Sequence, residues 1–405
     1  MVNYVFLSVY FYSVPNLRFR EFSLPWHQTP IKDLLSFQNG INGVPEQYGK
    51  GIKYISVGDI LNNDYITYDK IVGSIDISQE TLKNYSVTYG DILFQRSSEI
   101  KDDIGRTNVY LDKDNTATFG GFVIRGKKIG DYNPSFFSFL LKSPSSRKSI
   151  VRLGAGAQHY NIGQENIKTL SFYFPNEIEQ VKIANLLSKI DKRIQTQIKI
   201  INDCMSYRNA IVDYFFESLS SDWKQVRLSN ILNEYSELHI KDNSIVHATL
   251  SKNGIFPKTD RYDRDFLVKD EDKKYKVTHL DDICYNPANL KFGVITRNTF
   301  GDCIISPIYI TFTIKNNCLP KFVELLVTRK HFIAKARKYE QGTVYERMSV
   351  NSSDLLSMYV LIPTLFIQQK IVNIIDIIDN KISNEQKLLN LYKTQKDYLL
   401  KNMFV

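Results

Sequence analysis

The feature that most constrains this chain is a long segment that occurs twice. Residues 175–216 and 363–404 align without a gap at an offset of 188. Identities include Pro175/Pro363, Gln180/Gln368, Ile183/Ile371, Ile190/Ile378, Asp191/Asp379, Ile194/Ile382 and Phe216/Phe404. In the first copy Ile183, Leu187, Ile190, Ile194, Ile201, Met205 and Val212 recur at steps of three, four or seven. In the second, Ile371, Ile375, Ile378, Ile382, Leu389 and Leu400 do the same, which is the signature of an amphipathic helix. Each copy opens on a proline, which suits a first helical turn, and neither holds an internal Pro or Gly. A helix of this length runs about 60 Å at 1.5 Å per residue. So long an apolar stripe cannot hide inside a small domain. The two stripes are expected to pack on each other as an antiparallel coiled-coil pair, unless each helix belongs to a local bundle of its own.

The repetition extends upstream. Trp26-His27-Gln28 with a following Leu34 echoes Trp223-Lys224-Gln225 with Ile231. The strand-like Gly90-Asp91-Ile92-Leu93-Phe94 echoes Asp281-Asp282-Ile283-Cys284-Tyr285, and the proline-led helix start at Pro134 echoes that at Pro320. Basic turns follow (Arg147, Lys148, Arg152; Arg329, Lys330, Lys335, Arg337, Lys338), either phosphate clamps or complements to a helix dipole. Glycine-bearing loops come next at 154–159 and 341–343, then alternating strands at Leu170 to Phe174 and Met358 to Ile362. The organisation is therefore an extension (1–13), a first globular domain (14–174), a long helix (175–219), a second globular domain (220–362) and a second long helix (363–405). The expected class is α+β: two domains, each a small twisted β-sheet with helices, separated by two long antiparallel helices in an internal pseudo-twofold repeat. Residues 40–70 and 237–275 share little, although both read as strands broken by Gly, Asn and Pro turns. A duplicated scaffold with divergent inserts points to two sites of one kind that read different things.

Charge favours a polyanionic partner, since 52 Lys and Arg face 43 Asp and Glu for a net charge of +9. Cys204, Cys284, Cys303 and Cys318 have no paired CxxC spacing and read as buried thiols in a reducing compartment. Tyr4 to Val14 is uncharged and largely apolar, but no basic region precedes it and no cleavage site follows. It is read as an extension ahead of a start near Val14, or as a strand covering the first domain, in preference to a secretory signal. No stretch reaches the length of a membrane helix, and a cytoplasmic location is expected. Catalytic motifs are missing. The six histidines are scattered without HxxxH or HxH spacing, no GxxxxGK[ST] loop exists, and Gly154-Ala155-Gly156 lacks a third glycine. Tyr285-Asn286-Pro287-Ala288 reads as a strand-to-turn exit, and the charged run Asp260 to Lys274 as a solvated loop. No metal site is expected.

The twice-occurring Pro-(x4)-Gln-(x2)-Ile-(x6)-Ile-Asp-(x2)-Ile at Pro175 to Ile194 and Pro363 to Ile382 resembles the helical regions of type I restriction-modification specificity subunits. Gly90-Asp91-Ile92-Leu93, and Val14-Pro15-Asn16-Leu17-Arg18-Phe19 leading to Trp26, are similar to that family too. The departures are the aromatic N-terminal extension and Ile367 facing Glu179. The resemblance implies two target-recognition domains, each reading half of a bipartite double-stranded DNA site, with the helices as a ruler. It implies no catalysis by this chain. Two methylation subunits carrying S-adenosylmethionine would dock on the helices, and restriction/translocase subunits using ATP and Mg would complete the complex, with no membrane involved. A rigid pair suits a ruler, because readers on one face of B-DNA sit roughly 34 Å apart. A stand-alone DNA-binding regulator built from the same modules is the alternative, and an enzyme acting directly on nucleic acid is a third reading that lacks a site.

Base readout requires Arg, Lys, Asn or Gln on loops that reach a groove. The candidates in the first domain are Lys50, Lys53, Tyr54, Gln95, Arg96, Ser97, Gln158 and His159. In the second they are Lys252, Asn253, Lys258, Asn286, Asn289, Lys291, Tyr345 and Arg347. Helix pairing and subunit docking are assigned to Ile183, Leu187, Ile190, Ile194, Ile201, Met205, Ile371, Ile375, Ile378, Ile382 and Leu389.

Overall fold

The structure, a computed structural model, describes residues 14–240, 244–258, 274–341 and 348–405. The extension 1–13, most of the run Asp260 to Lys274, and Gly342 and Thr343 of the second glycine loop lie outside the described residues. The chain forms two compact units: residues up to Lys199 together with Gln386–Val405, and Ile200–Glu385. The two repeated segments are the helices α1 (Glu177–Ser218) and α2 (Leu365–Asn402). Each begins in one unit and ends in the other.

In the first unit a four-stranded antiparallel sheet runs in the order Leu35–Asn39, Val123–Lys128, Ile92–Gln95, Thr107–Val109. Ile92–Gln95 is buried along its whole length, as an inner strand of four apolar or amide side chains must be. It is launched from a tight turn in which Gly90 has φ +95° and the Asp91 carboxylate accepts the Thr88 N–H at 3.0 Å and the Lys128 N–H at 2.9 Å. A smaller sheet has Tyr48–Ile55 parallel to Thr118–Phe119 and antiparallel to Ser74–Ile75. His27–Pro30 pairs with Ser171–Phe174, bringing the chain back to the start of α1.

The second unit repeats this plan. Its four-stranded sheet is ordered Leu232–Tyr235, Ile310–Ile314, Ile283–Tyr285, Ile295–Arg297, and Lys224–Arg227 pairs with Tyr359–Ile362 before α2. Asp281 stands where the first unit has Gly90 and takes the same left-handed backbone, φ +72°. Asp282 accepts the His279 N–H at 2.7 Å as Asp91 does that of Thr88. The second sheet is larger, with five strands from Leu238 to Ile305, and this is where the sequences diverge.

The apolar stripes meet both kinds of neighbour. In the first unit Ile183, Leu187, Ile190 and Ile194 share a core with Trp26, Phe136 and Phe174 of the globular domain and with Leu399, Leu400 and Phe404 of the C-terminal segment. In the second, Val212 and Phe216 of α1 and Ile371 and Ile375 of α2 share one with Phe322 and Leu326. Within each unit α1 and α2 run antiparallel, pinned at equivalent points: Asp191 to Lys396 at 2.5 Å, and Asp379 to Arg208 at 2.5 Å. Aromatic clusters repeat as well, Trp26–Phe136–Phe404 against Trp223–Phe322–Phe216. The α+β class, the repeat and the antiparallel pair agree with the sequence reading. Met205 is 47% exposed, and Ile378, Ile382 and Leu389 are only partly buried, so helix pairing covers them incompletely.

Candidate nucleic-acid interface

The sites are built at the ends of the inner strands, where loops leave a rigid sheet. In the first unit Arg96 directly follows Ile92–Gln95, and its N–H bonds Phe122 O at 2.9 Å. The exposed guanidinium donates from Nη1 to Gly121 O at 3.3 Å. Ser97-Ser98 pairs with Tyr160-Asn161, and Ser97 Oγ lies 2.5 Å from Asn161 Oδ1. The loop bearing exposed Gln158 and His159 is closed by a bridge between Ala155 and Asn161. At its tight point Gly156 has φ +137°, and a Cβ there would collide with His159 O. Four candidates far apart in sequence, Arg96, Ser97, Gln158 and His159, thus belong to one loop cluster.

Tyr54 borders the same place. Its hydroxyl donates to Ile41 O at 3.3 Å, and a Cβ on Gly120 would come within 2.5 Å of the hydroxyl oxygen. Burial pushes the Tyr54 phenol well above its ordinary range, with the Tyr48 hydrogen bond adding to this. Lys53 and Lys50 are differently occupied: Lys53 Nζ donates to Ile71 O at 2.8 Å, and exposed Lys50 pairs with Asp76 at 3.3 Å.

In the second unit Lys252 and Asn253 form the exposed tip of a hairpin between Val246–Ser251 and Gly254–Pro257. Its Ala248, Leu250 and Ile255 share a core with Cys284, Ile305 and Val294, so the hairpin base packs at the end of the inner strand. Lys258 follows the hairpin, its N–H bonded to His247 O at 2.8 Å. Asn289 and Lys291 are exposed on the 3-10 turn Pro287–Phe292, with Lys291 Nζ 5.2 Å from the Phe292 ring centre. Tyr345 and Arg347 lie outside the described residues.

Two candidates are corrected. Gln95 is 5% exposed, with its amide donating to Ser97 O at 2.9 Å, and Asn286 is 6% exposed, accepting the Ala288 N–H at 3.1 Å. Gln95 ends its buried strand and Asn286 directly follows its own, and both side chains are buried where they shape the turn that carries the exposed loop. Several residues of the basic turns are committed to the fold, whereas Lys148, Arg152, Lys330 and Lys338 are exposed. Burial lowers the Arg147 guanidinium to about 10, and it donates to the carbonyls of Gly105, Asp102 and Ile104. Arg329 bonds Asp213 and Glu217 and lies over the Phe216 ring, and Lys335 donates to Tyr359 O.

Other polar groups, none of them among the candidate DNA contacts, fix the scaffold. Gln180 accepts the Asn133 N–H at 2.9 Å and donates to Pro175 O at 2.9 Å, while Gln368 accepts the Leu319 N–H at 2.9 Å and donates to Pro363 O at 3.0 Å. Arg18 grips Glu179 through two bonds of 2.7 Å, and the Leu17 N–H bonds Asn402 O at 2.8 Å. The chain start thereby joins the beginning of α1 to the end of α2. The repeat of Gln180 was visible in sequence; the Arg18–Glu179 pair, 161 residues apart, left no local signal. Among the described residues no group of three or more His, Cys, Asp or Glu is placed to hold a metal. No helix among them is long and apolar enough to cross a membrane.

Fold and site together define a duplicated, loop-bearing recognition scaffold mounted on a pair of long helices. Residues 25–203 match the type I restriction modification DNA specificity domain. The chain is 22% identical to the type I restriction enzyme MjaIX specificity subunit of Methanocaldococcus jannaschii, over 93% of this chain and 91% of that protein. It is 26% identical to the putative MjaX specificity subunit of the same organism, over 51% of this chain and 52% of that one. Its fold is shared with the type I restriction-modification S subunit from M. genitalium (TM-score 0.54, 17% identity, covering 97% of this chain and 99% of that one). A chain from a structure of type I system assembly and conformational transition gives a TM-score of 0.60 at 10% identity, covering 94% and 98%. Residues 25–203 thus carry a type I restriction modification DNA specificity domain, and the chain over nearly its whole length is similar to type I restriction enzyme specificity subunits.

Proposed function

We propose that this chain reads a bipartite double-stranded DNA target, one half with each unit, and directs adenine methylation or cleavage by partner subunits while catalysing neither. One observation carries the reading: the same four-stranded sheet, in the same strand order, presents different exposed polar loops in the two units. Arg96, Gln158 and His159 in one unit, and Lys252, Asn253, Asn289 and Lys291 in the other, match what base edges and phosphates require. Exposed apolar residues on the helices of each unit, Ile178 and Leu391 in the first and Tyr207, Phe366 and Ile377 in the second, suit docking of methylation subunits. Two such subunits, carrying S-adenosylmethionine, match the two units, and restriction/translocase subunits bring ATP and Mg.

Co-expression with a methylation subunit tests this. The expected result is a stable complex that methylates adenine in a split site, with no methylation by either component alone. A chain that remains monomeric beside every type I methylation subunit offered to it overturns the proposal.

A further inference from the structure

Each unit exposes one large apolar side chain at the same structural address. Gly126 pairs with Ile92 in the first unit and Phe312 with Ile283 in the second, which makes Phe122 and Ile308, four residues before each, equivalent. Phe122 is 68% exposed and Ile308 63%. Single exposed apolar residues are ordinary on protein surfaces. Here, however, the position recurs between units whose loops otherwise differ, and it stands at the mouth of the two inner strands. Phe122 is the cross-strand neighbour of Arg96 through the 2.9 Å backbone bond. Ile308 lies two residues before Ile310, the partner of Tyr285 at the end of the inner strand, and the next residue, Tyr309, has its carbonyl bonded by Lys276 Nζ at 2.8 Å.

In the first unit the supporting loop is closely packed. A Cβ on Gly120 or Gly121 would run into Tyr54 or Asn42, and one on Gly40 into the Gly120 backbone. An exposed apolar side chain close to hydrogen-bond donors is suited to a groove floor that offers both acceptors and methyl groups. In the major groove the methyl is the thymine C5 substituent. We propose that Phe122 and Ile308 are specificity-determining residues that read a thymine methyl, one in each half of the target; this rests on the DNA-reading function above.

The test uses the full chain in its complex with the methylation subunit. Duplexes are selected from a random pool, and each selected thymine is then replaced by deoxyuridine, which lacks only the methyl. The expected result is a thymine in each half whose replacement lowers affinity about fourfold, the value of one buried methyl group. F122A should abolish that discrimination in one half and I308A in the other, each with an unchanged melting temperature. A half-site indifferent to deoxyuridine, or variants that keep the wild-type preference, overturns the assignment while leaving DNA reading intact. Enrichment of no sequence by the wild-type complex overturns the reading on which it rests.

Discussion

Gln180 and Gln368 are buried, doubly bonded polar side chains at equivalent positions of the repeat, and replacing them tests how the helices hold the globular domains. Gln368 is fully buried and Gln180 nearly so. Each amide oxygen takes the N–H of the residue that caps a proline-led helix, and each amide nitrogen reaches the carbonyl of the proline two residues before its own long helix. Leucine has nearly the same volume and can do neither. A typical buried hydrogen bond contributes about 1 kcal/mol net, and an orphaned buried N–H costs about 1–3 kcal/mol. Q180L and Q368L should therefore each destabilise by about 2–4 kcal/mol. For a unit of this size that is roughly 5–15 °C in melting temperature. Calorimetry on each variant, with the exposed Gln386→Leu as control, measures it. Amide exchange adds a local readout, since Asn133 or Leu319 should lose protection. A shift no larger than that of the control would refute the reasoning, because it would mean the two amide bonds are not made in solution.

Other outcomes follow from the same geometry. Arg96→Ala should weaken target binding by roughly tenfold or more and relax sequence preference in one half only, as measured by binding to half-site variants. For Asp379, burial works to raise the carboxyl, but Arg208 and Lys321 outweigh it and hold the group below the usual carboxylate range. Its stabilisation is present above the unfolded value and is lost as pH falls through the lowered folded one. Urea melts of D379N should thus fall below wild type at neutral pH and converge with it as pH drops below about 4. Burial pushes the Cys284 thiol up to about 12 and those of Cys303 and Cys318 up to about 11. A thiol reagent at pH 8 should label Cys204 first in the native chain and all four cysteines only in denaturant.

Much of this architecture was legible because repetition and periodicity are local signals. The spacing of Ile183 through Ile194 fixes a helical face, and its copy at Ile371 through Ile382 shows that the face is a shared device. What periodicity does not carry is the identity of the second surface. The sequence reading expected the stripes to meet each other, whereas Trp26, Phe136 and Phe174 take up much of the first one. The candidate readers show the same limit. Arg96 and Gln95 are neighbours with equally suitable chemistry, yet Gln95 ends a strand buried on both faces and Arg96 is the first residue beyond it. Tyr54, Arg96 and His159 border one loop cluster only through the turns at Gly120, Gly121 and Gly156, which no spacing rule reveals. The Arg18–Glu179 clasp was invisible for the same reason, since it depends on the fold bringing the chain start to α1.

The central claim is that two similar units read two different blocks of one DNA site. It is tested most directly by mapping modified adenines in the genome of cells that express this chain with its methylation subunit. The account predicts a motif of two short specific blocks around a fixed spacer of unspecified bases, with Arg96→Ala degrading one block alone. A continuous palindromic motif, or one degraded in both blocks by that substitution, would contradict it.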